Sequence, residues 1–312
     1  MKTAILYAES EFTPWKENID LETVEMISAC LPNQGSIDII HMKIPDEEFG
    51  NHLASYDTVV NMCYGFKEHT QAMVASWLDN HQVRHLSSTG LAQQRVADKK
   101  WVEKCCKLHG INVPQTIYAA ADIEECTHII KPRYGSCHRD IAIMEAEELR
   151  NYLPELNIEQ FICQPYLIGR EFSVAIIPSD NGLEQIALPP VEIVPVPQRD
   201  FFVAGSSFGE TKRQFSYQIS SKILREMMEI AVKIHELAGL RYMSRIDMKV
   251  CNDKVYVLDL NPMPNLHQTK SLLPAILDYH SISMKELFRR KLKMKSIKEG
   301  LSRYSVLGWN RK

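Results

Sequence analysis

The sequence has no CxxC pair, no cysteine and histidine at metal-ligand spacing, and no apolar run approaching the length of a membrane span. Its eight cysteines are scattered, with only Cys105 and Cys106 adjacent. Thiols so placed read as reduced, mostly buried small hydrophobes of a cytoplasmic protein, not as disulfides or zinc ligands. Acidic residues stand where a signal peptide would carry its apolar stretch, and this also points to the cytoplasm. A large charge of one sign is lacking too: the net charge of −3 sets up no field for nucleic acid. Positive charge gathers only near the end, at Lys285, Arg289, Arg290, Lys291, Lys293, Lys295 and Lys298. Without interleaved aromatics that stretch reads as the solvated face of a helix. There is no internal repeat and no low-complexity tract.

What is present is a chain of 312 residues, 45% of them apolar, long enough for two or three subdomains around a sizeable core. Short apolar runs at 2–8, 36–42 and 56–62 alternate with helical spacing at 21–31 and around Trp77, and a short strand is expected at 83–87. That order predicts an open parallel α/β domain over residues 1–95. A helix from Asp98 to about His109 stops at Gly110. Two apolar runs flanking a Gly-Ser-Cys turn, a helix near 149–153 and a strand before Gln164 make a small α+β unit over 96–165. The remainder, 166–312, holds a strand after Gly169, a helix over 221–237, a hairpin over 245–261 and a helical tail. Between them, 189–221 begins as a strand and has little periodicity after Val196. An irregular stretch of that length is often a functional lid.

The hairpin raises the chemical question. "RIDMKVCNDKVYVLDLNPMP" carries Arg245 and Asp247 at one end and Asp259 and Asn261 at the other. Alternation of side chains makes the register decisive. A two-residue turn at Asn252-Asp253 puts the two acids on opposite faces, whereas a three-residue loop over Asn252, Asp253 and Lys254 sets them opposite each other on one face. Only the second register builds a hard-oxygen site suited to magnesium. Lys131, at the end of "HII" and before a Gly-Ser turn, is a point charge placed for phosphate. In "QPYLIGREFSV", Gln164 through Leu167 resemble a linker strand able to meet an adenine edge, and Glu171 could accept from ribose hydroxyls.

Taken in order, "DKKWVEKCCKLHGINVP", "IIKPRYGS", "PYLIGREFSVAII", "RIDMKV" and "VLDLNPMPNLHQTKSLLP" resemble the ATP-grasp ligases, and within them the D-alanine–D-alanine ligase group. The likeness runs from Asn61 to Pro274. It implies an α/β and α+β ATP-grasp fold, an N-terminal open parallel-sheet domain followed by two subdomains that clasp ATP. It implies also that a carboxylate is phosphorylated by ATP and the acyl phosphate captured by an amine. On that resemblance Asp247, Asp259 and Asn261 hold one or two magnesium (or manganese) ions, and Lys99 and Lys131 contact the phosphates. Arg245 stabilises the acyl phosphate and the tetrahedral intermediate. Gln164, Tyr166, Leu167, Glu171 and Leu258 form the adenosine pocket, and Ser136 lies in the glycine-rich loop. Ser271 and the Leu272 backbone take a substrate carboxylate. The partners are small carboxylates and amines, with neither nucleic acid nor membrane, and a homodimer is implied.

The departures fall on the amino-acid side. The N-terminal glycine-rich segment is replaced by "YAESEFTPWKEN", where Glu11 is the candidate for an ammonium contact. Tyr64 occupies the group's histidine position and Asn265 a glycine position, while the lid's Tyr-x-x-Lys pattern is not visible. On the nucleotide side Gln164 and Asp259 each stand for a glutamate. The reading is a carboxylate–amine ligase for an amino acid, small peptide or specialised metabolite. The alternatives are a D-alanine–D-alanine ligase itself and a nucleotide-binding protein without catalysis. Against the last, the phosphate and metal residues are all present.

Overall fold

The structure is a computed structural model and describes residues 1–8, 20–32, 35–67, 69–134, 140–196 and 210–294. The first sheet is parallel. β1 (Thr3–Tyr7) lies between β2 (Ile37–His41) and β3 (Thr58–Asn61), with Thr3 beside Ile37 on one side and Thr58 on the other. α1 (Leu21–Cys30) and α2 (Glu47–Ala54) supply the crossovers, capped by Asp20 and Asp46, whose carboxylates accept from Thr23 N and Phe49 N at 2.8 Å each. The strand expected at 83–87 is a single parallel bridge from Val59 to His85. The short pair β4 (Gly65–Phe66) and β5 (His69–Thr70) leads into α3 (Gln71–Asn80) and α4 (Gly90–Ala97). α5 (Lys99–Leu108) starts on the N-cap Asp98. It ends before Gly110, whose φ of +69° is the left-handed conformation glycine adopts at no steric cost.

A three-stranded antiparallel sheet follows: β6 (His128–Pro132) is central between β7 (Ala142–Met144) and β8 (Phe161–Pro165), and α6 (Ala146–Tyr152) covers it. Lys131 is therefore on a central strand. Gly169 separates β8 from β9 (Arg170–Pro178), and a Cβ there would stand 2.3 Å from the Val250 carbonyl oxygen, so only glycine lets the linker pass this close.

β9 is the centre of a six-stranded sheet ordered β12-β11-β9-β13-β14, with β10 (Gln185–Ala187) also paired to β9. β11 (Val191–Val196) and β12 (Glu210–Gln214) are antiparallel partners. The sequence's irregular stretch thus conceals a returning edge strand, whose polar run Glu-Thr-Lys-Arg-Gln gives no apolar alternation; its middle, 197–209, is outside the described residues. α7 (Ser221–Leu237) packs on one face through Ile223, Met227, Ala231 and Ile234, against Phe172, Val174, Ile176, Ile246, Met248 and Val257. The opposite face shares a core with the first domain, where Ala175, Ile177 and Val191 meet Ile5, Val60 and Met62, closed by α8 (Leu272–Tyr279) and α9 (Met284–Lys293).

α9 corrects the expectation of a solvated basic face. Arg290 is 8% and Lys291 1% exposed. Lys291 follows Leu287 by four residues, so it shares the inward face of the helix. Its Nζ rests 3.7 Å from Met243 Sδ and over the Phe288 ring, and burial lowers its pKa to about 7. Lys295 and Lys298 lie outside the described residues. The seven described cysteines are free thiols, four of them buried.

The hairpin of β13 (Ser244–Cys251) and β14 (Lys254–Asn261) corrects the loop expected for it. Cys251 pairs with Lys254, so the turn has two residues, Asn252 and Asp253, both left-handed at φ 49° and 57°; this is the type I′ geometry favoured by strand twist. The acids nevertheless face each other, because the register slips by one between Asp247 and Met248. Asp247 pairs with Asp259 and Met248 with Val257, leaving Leu258 as the extra residue of a β-bulge. Asp253 holds a left-handed conformation that costs a side-chain-bearing residue about 1 kcal/mol, so Asp253→Gly should raise stability by about 0.5–1 kcal/mol in urea denaturation. A loss of stability would contradict the type I′ assignment.

Candidate active site

The cleft lies between α5, the three-stranded sheet and the end of β14. Asp98 fixes one wall: it caps α5 through Lys100 N at 3.0 Å and takes a two-pronged bond from Arg133, Nε at 2.8 Å and Nη2 at 2.7 Å. The Lys99 amide also donates to the Arg133 carbonyl at 3.1 Å. The start of α5 is thereby tied to the end of β6, which brings Lys99 and Lys131 to one side of the cleft. Val102, Val113, Ile162, Val257 and Leu258 provide apolar walls, the kind of surface a flat heterocycle fills. The bulge is what turns Leu258 into this wall beside Asp259.

At the inner end Gln164 donates from Nε2 to the Pro114 carbonyl at 2.9 Å and to Thr116 Oγ1 at 3.4 Å. Thr116 in turn donates from Oγ1 and from its backbone N to the buried carboxylate of Glu103. The amide nitrogen of Gln164 is thus committed to two protein acceptors, leaving its oxygen to receive a donor from a ligand. This accounts for a glutamine where the resemblance has a glutamate, since a carboxylate here would face two acceptors beside Glu103.

Positive charge converges beyond that end. Desolvation in the cleft, then repulsion from Lys99, lowers Lys131 to about 8. Lys249 is 4% exposed; its Nζ stands 3.9 Å from Glu171 Oε2, 3.4 Å from Tyr166 Oη and over the Tyr166 ring. Burial raises Glu171 to about 7, against the opposing pull of Lys249. Lysines that repel one another at the positive end of a helix are a fixed cost unless an anion lies between them.

Side chains of directly paired residues share a sheet face. Arg245 is opposite Asn261, Asp247 opposite Asp259 and, on the other side, Ser173, and Lys249 is opposite Glu171. One polar face therefore carries all of these groups. Arg245 grips Asp247 by Nε to Oδ1 at 3.0 Å and Nη2 to Oδ2 at 2.9 Å, and Ser173 Oγ donates to Oδ1 at 2.6 Å. Asn261 Oδ1 accepts from Met263 N at 3.2 Å, which aims the amide oxygen and leaves a lone pair. Two carboxylates and an amide oxygen fit a hard cation. No group of three or more His, Cys, Asp or Glu able to hold a metal occurs among the described residues, so a cation here needs ligand or water oxygens to complete its shell, as magnesium characteristically does.

The residues expected on the substrate side also come together. Tyr64 Oη donates to the Pro264 carbonyl at 3.0 Å. Next to it, Asn265 Oδ1 accepts from His267 N at 2.8 Å and Ser271 Oγ at 3.0 Å, and Ser271 is the N-cap of α8, which begins at Leu272. Leu167 lies between β8 and β9, half-buried and outside the cleft lining. Glu11 and Ser136 lie outside the described residues. Sequence reasoning missed Lys249, although it follows Asp247 by two on one strand face, and Glu103, four residues after Lys99 on one helix face. Thr116, in an irregular segment, left no periodic signal.

Replacing Gln164 by Glu should weaken ATP binding about tenfold and cost roughly 1–3 kcal/mol, the usual size for an unsatisfied buried polar group; unchanged binding by calorimetry would refute the donor assignment. Glu171 gives a pH signature. Its folded pKa is raised, so the folded state holds the proton more tightly, and stability from this group falls as pH rises from about 4.5 to about 7. Glu171→Gln should remove that slope, its urea midpoint gaining on the parent across this window. Parallel curves would contradict the burial of this carboxyl.

A family model described as an ATP-grasp domain matches residues 96–265. Curated relatives are D-alanine–D-alanine ligases. That of Thermotoga sp. (strain RQ2) is 27% identical over 80% of this chain and 84% of its own, and that of Petrotoga mobilis is 25% identical over 82% and 87%. Among solved structures, D-alanine–D-alanine ligase from Bacillus anthracis superposes with a TM-score of 0.73 over 98% of this chain and 99% of its own, at 16% identity. VanG D-Ala:D-Ser ligase from Enterococcus faecalis gives 0.75 over 93% and 98%, also at 16% identity. No helix among the described residues is long and apolar enough to cross a membrane. The chain belongs to the ATP-grasp family, among its ATP-dependent, ADP-forming carboxylate–amine ligases.

Proposed function

We propose that this ligase joins an amino acid or small peptide carboxylate to an amine other than a second D-alanine, in the cytoplasm. The observation that supports the reading best is the pairing of Arg245 with Asn261 and of Asp247 with Asp259 on the face that Lys131 and Lys249 approach. Phosphoryl transfer is catalysed mainly by positioning and by neutralising charge, and this face does both. Gln164 and the apolar walls seat the adenine, Glu171 accepts from ribose, and Lys99 and Lys131 take phosphate oxygens. Magnesium, held by Asp247, Asp259 and Asn261, would neutralise charge on the phosphates.

In the first step the substrate carboxylate oxygen attacks the terminal phosphorus of ATP, and the bond to the bridging oxygen breaks to release ADP. In the second, the amine attacks the acyl carbon of the resulting acyl phosphate. The carbon–oxygen bond breaks, phosphate departs and the amine loses a proton to give the amide. Arg245 stands where negative charge collects in both steps. On the amino-acid side Tyr64 and Asn265 stand where the group has a histidine and a glycine, which supports a substrate pair unlike that of the curated relatives.

ADP formation measured against pools of D- and L-amino acids and short peptides should require both a carboxylate and an amine, with a condensed product of matching mass. Arg245→Met should lower kcat by about 10²–10³-fold, the usual loss on removing one group that stabilises a developing anion, and Asp247→Asn should abolish turnover. ADP release that needs no carboxylate, or survives Asp247→Asn, would overturn the reading.

A further inference from the structure

A series of buried polar side chains lies behind Tyr64, and the reaction above does not use it. β3 pairs with β1 as far as Asn61, and Met62 N still donates to the Leu6 carbonyl at 2.8 Å. At Cys63 a side chain replaces the neighbouring strand: Cys63 N donates to Asn61 Oδ1 at 3.1 Å. The Asn61 amide nitrogen donates to Ser87 Oγ at 3.1 Å. Ser87 Oγ stands 2.8 Å from His85 Nδ1, and His85 Nε2 stands 3.0 Å from Asp79 Oδ1. The second oxygen of Asp79 accepts from Gly90 N at 2.7 Å.

The partners give this series one direction. Although burial opposes it, the bonds from His85 and Gly90 keep the Asp79 pKa below its usual value, so Asp79 is a carboxylate and only accepts. The His85 proton therefore sits on Nε2, and Nδ1 accepts. The Ser87 hydroxyl then donates to Nδ1, which leaves its lone pairs for the Asn61 amide nitrogen and turns Asn61 Oδ1 towards Cys63 N. Acid, imidazole and hydroxyl follow the order of a nucleophile set, but Ser87 is 4% exposed and its oxygen is engaged by Asn61. Asn61 and His85 are equally buried. Apolar residues of similar shape would serve stability as well here; what a fully satisfied polar series adds is a single geometry.

That geometry is anchored on both strands of the catalytic hairpin. Ser88 Oγ accepts from Arg241 N at 3.0 Å and donates to the Arg241 carbonyl at 3.3 Å, just ahead of β13 and Arg245. At the other end Tyr64 Oη donates to the carbonyl of Pro264, shortly after β14 and next to Asn265.

We propose that His85 and Ser87, oriented by Asp79, are positioning residues that act through Asn61 to hold the Tyr64 segment for the amino-acid substrate. The effect on turnover rests on the ligase reading; the effect on the strand end does not, and the test separates the two. Protein grown on isotope-labelled cysteine gives an NMR amide signal for each of its eight cysteines, and Cys63→Ser identifies that of Cys63. Ser87→Ala should speed hydrogen exchange at the Cys63 amide about 10–100-fold, the size expected when a buried bond is cut and its partners are left unsatisfied. The Cys106 and Cys163 amides should not change, which shows that the variant folds. Ser87→Thr keeps the hydroxyl and should restore most of the protection. In Asp79→Asn the single remaining oxygen meets Gly90 N, so the amide nitrogen faces His85. The imidazole proton should then move from Nε2 to Nδ1, read from the histidine nitrogen shifts. In ADP formation with pools of D- and L-amino acids and short peptides, Ser87→Ala should raise the half-saturating pool concentration about tenfold with little change in kcat or in KM for ATP.

Unchanged exchange at Cys63 in Ser87→Ala, an equal rise at all three cysteines, equal effects of Ser87→Ala and Ser87→Thr, or a proton that stays on Nε2 in Asp79→Asn overturns the proposal. So does a KM for ATP that rises with that for the pool. If the parent protein forms no ADP from any pool, the ligase reading falls, and faster exchange confined to Cys63 in Ser87→Ala leaves the positioning series standing.

Discussion

A single slipped residue governs this molecule. With the two-residue turn at Asn252-Asp253, a regular ladder would set Asp247 opposite Leu258 and turn Asp259 towards the core. The bulge at Leu258 shifts the strand by one, so that Asp259 meets Asp247, Asn261 meets Arg245, and Leu258 is released to line the cleft. The core requires the same slip. Val255 and Val257 are two apart, as alternation demands, but the next buried residue is Leu260, and only an extra residue keeps all three facing α7. Packing and chemistry thus fix one register together, because a one-residue shift would expose the apolar side and bury the acids.

The charges gathered on that face are poised rather than settled. Lys131 is lowered by desolvation and by Lys99, Glu171 is raised by burial, and Asp247 is occupied by Arg245 and Ser173. In the resting protein these groups compensate one another only in part. On the proposed function a bound nucleotide would supply negative charge to the lysines, and a cation would compete with Arg245 for Asp247, freeing the guanidinium to meet the reacting group. Partial neutralisation is what allows a buried charged set to persist while remaining ready for a ligand.

Much of the fold was legible because its elements carry strong local signals. α7 was foreseen to the residue, since its apolar positions recur at helical spacing after Ser220. The alternation of short strands and helices predicted the parallel sheet. β12 was not legible, because an edge strand with polar side chains makes no pattern of its own. The burial of Lys291 was hidden for the opposite reason: a run of basic residues masked the inward stripe of Leu287, Phe288 and Lys291. In the hairpin the acids were read correctly as facing partners, but through a longer loop; the three-residue gap from Val257 to Leu260 was the overlooked sign of a bulge. Of the candidate site, residues on strands and at helix starts could be read from position and resemblance. Lys249, Glu103 and Thr116 could not, because their part is to hold or neutralise neighbours that are distant in sequence.

The central claim is that one face, set by the Leu258 bulge, receives the nucleotide phosphates between Lys99, Lys131 and the Asp247–Asp259 pair. A crystal structure with magnesium and a non-hydrolysable ATP analogue tests it most directly. The expected result is an adenine against Gln164 and Leu258, with phosphate oxygens on both lysines and a cation touching Asp259 and Asn261. A nucleotide bound elsewhere, or a ladder in which Asp247 no longer faces Asp259, would contradict it.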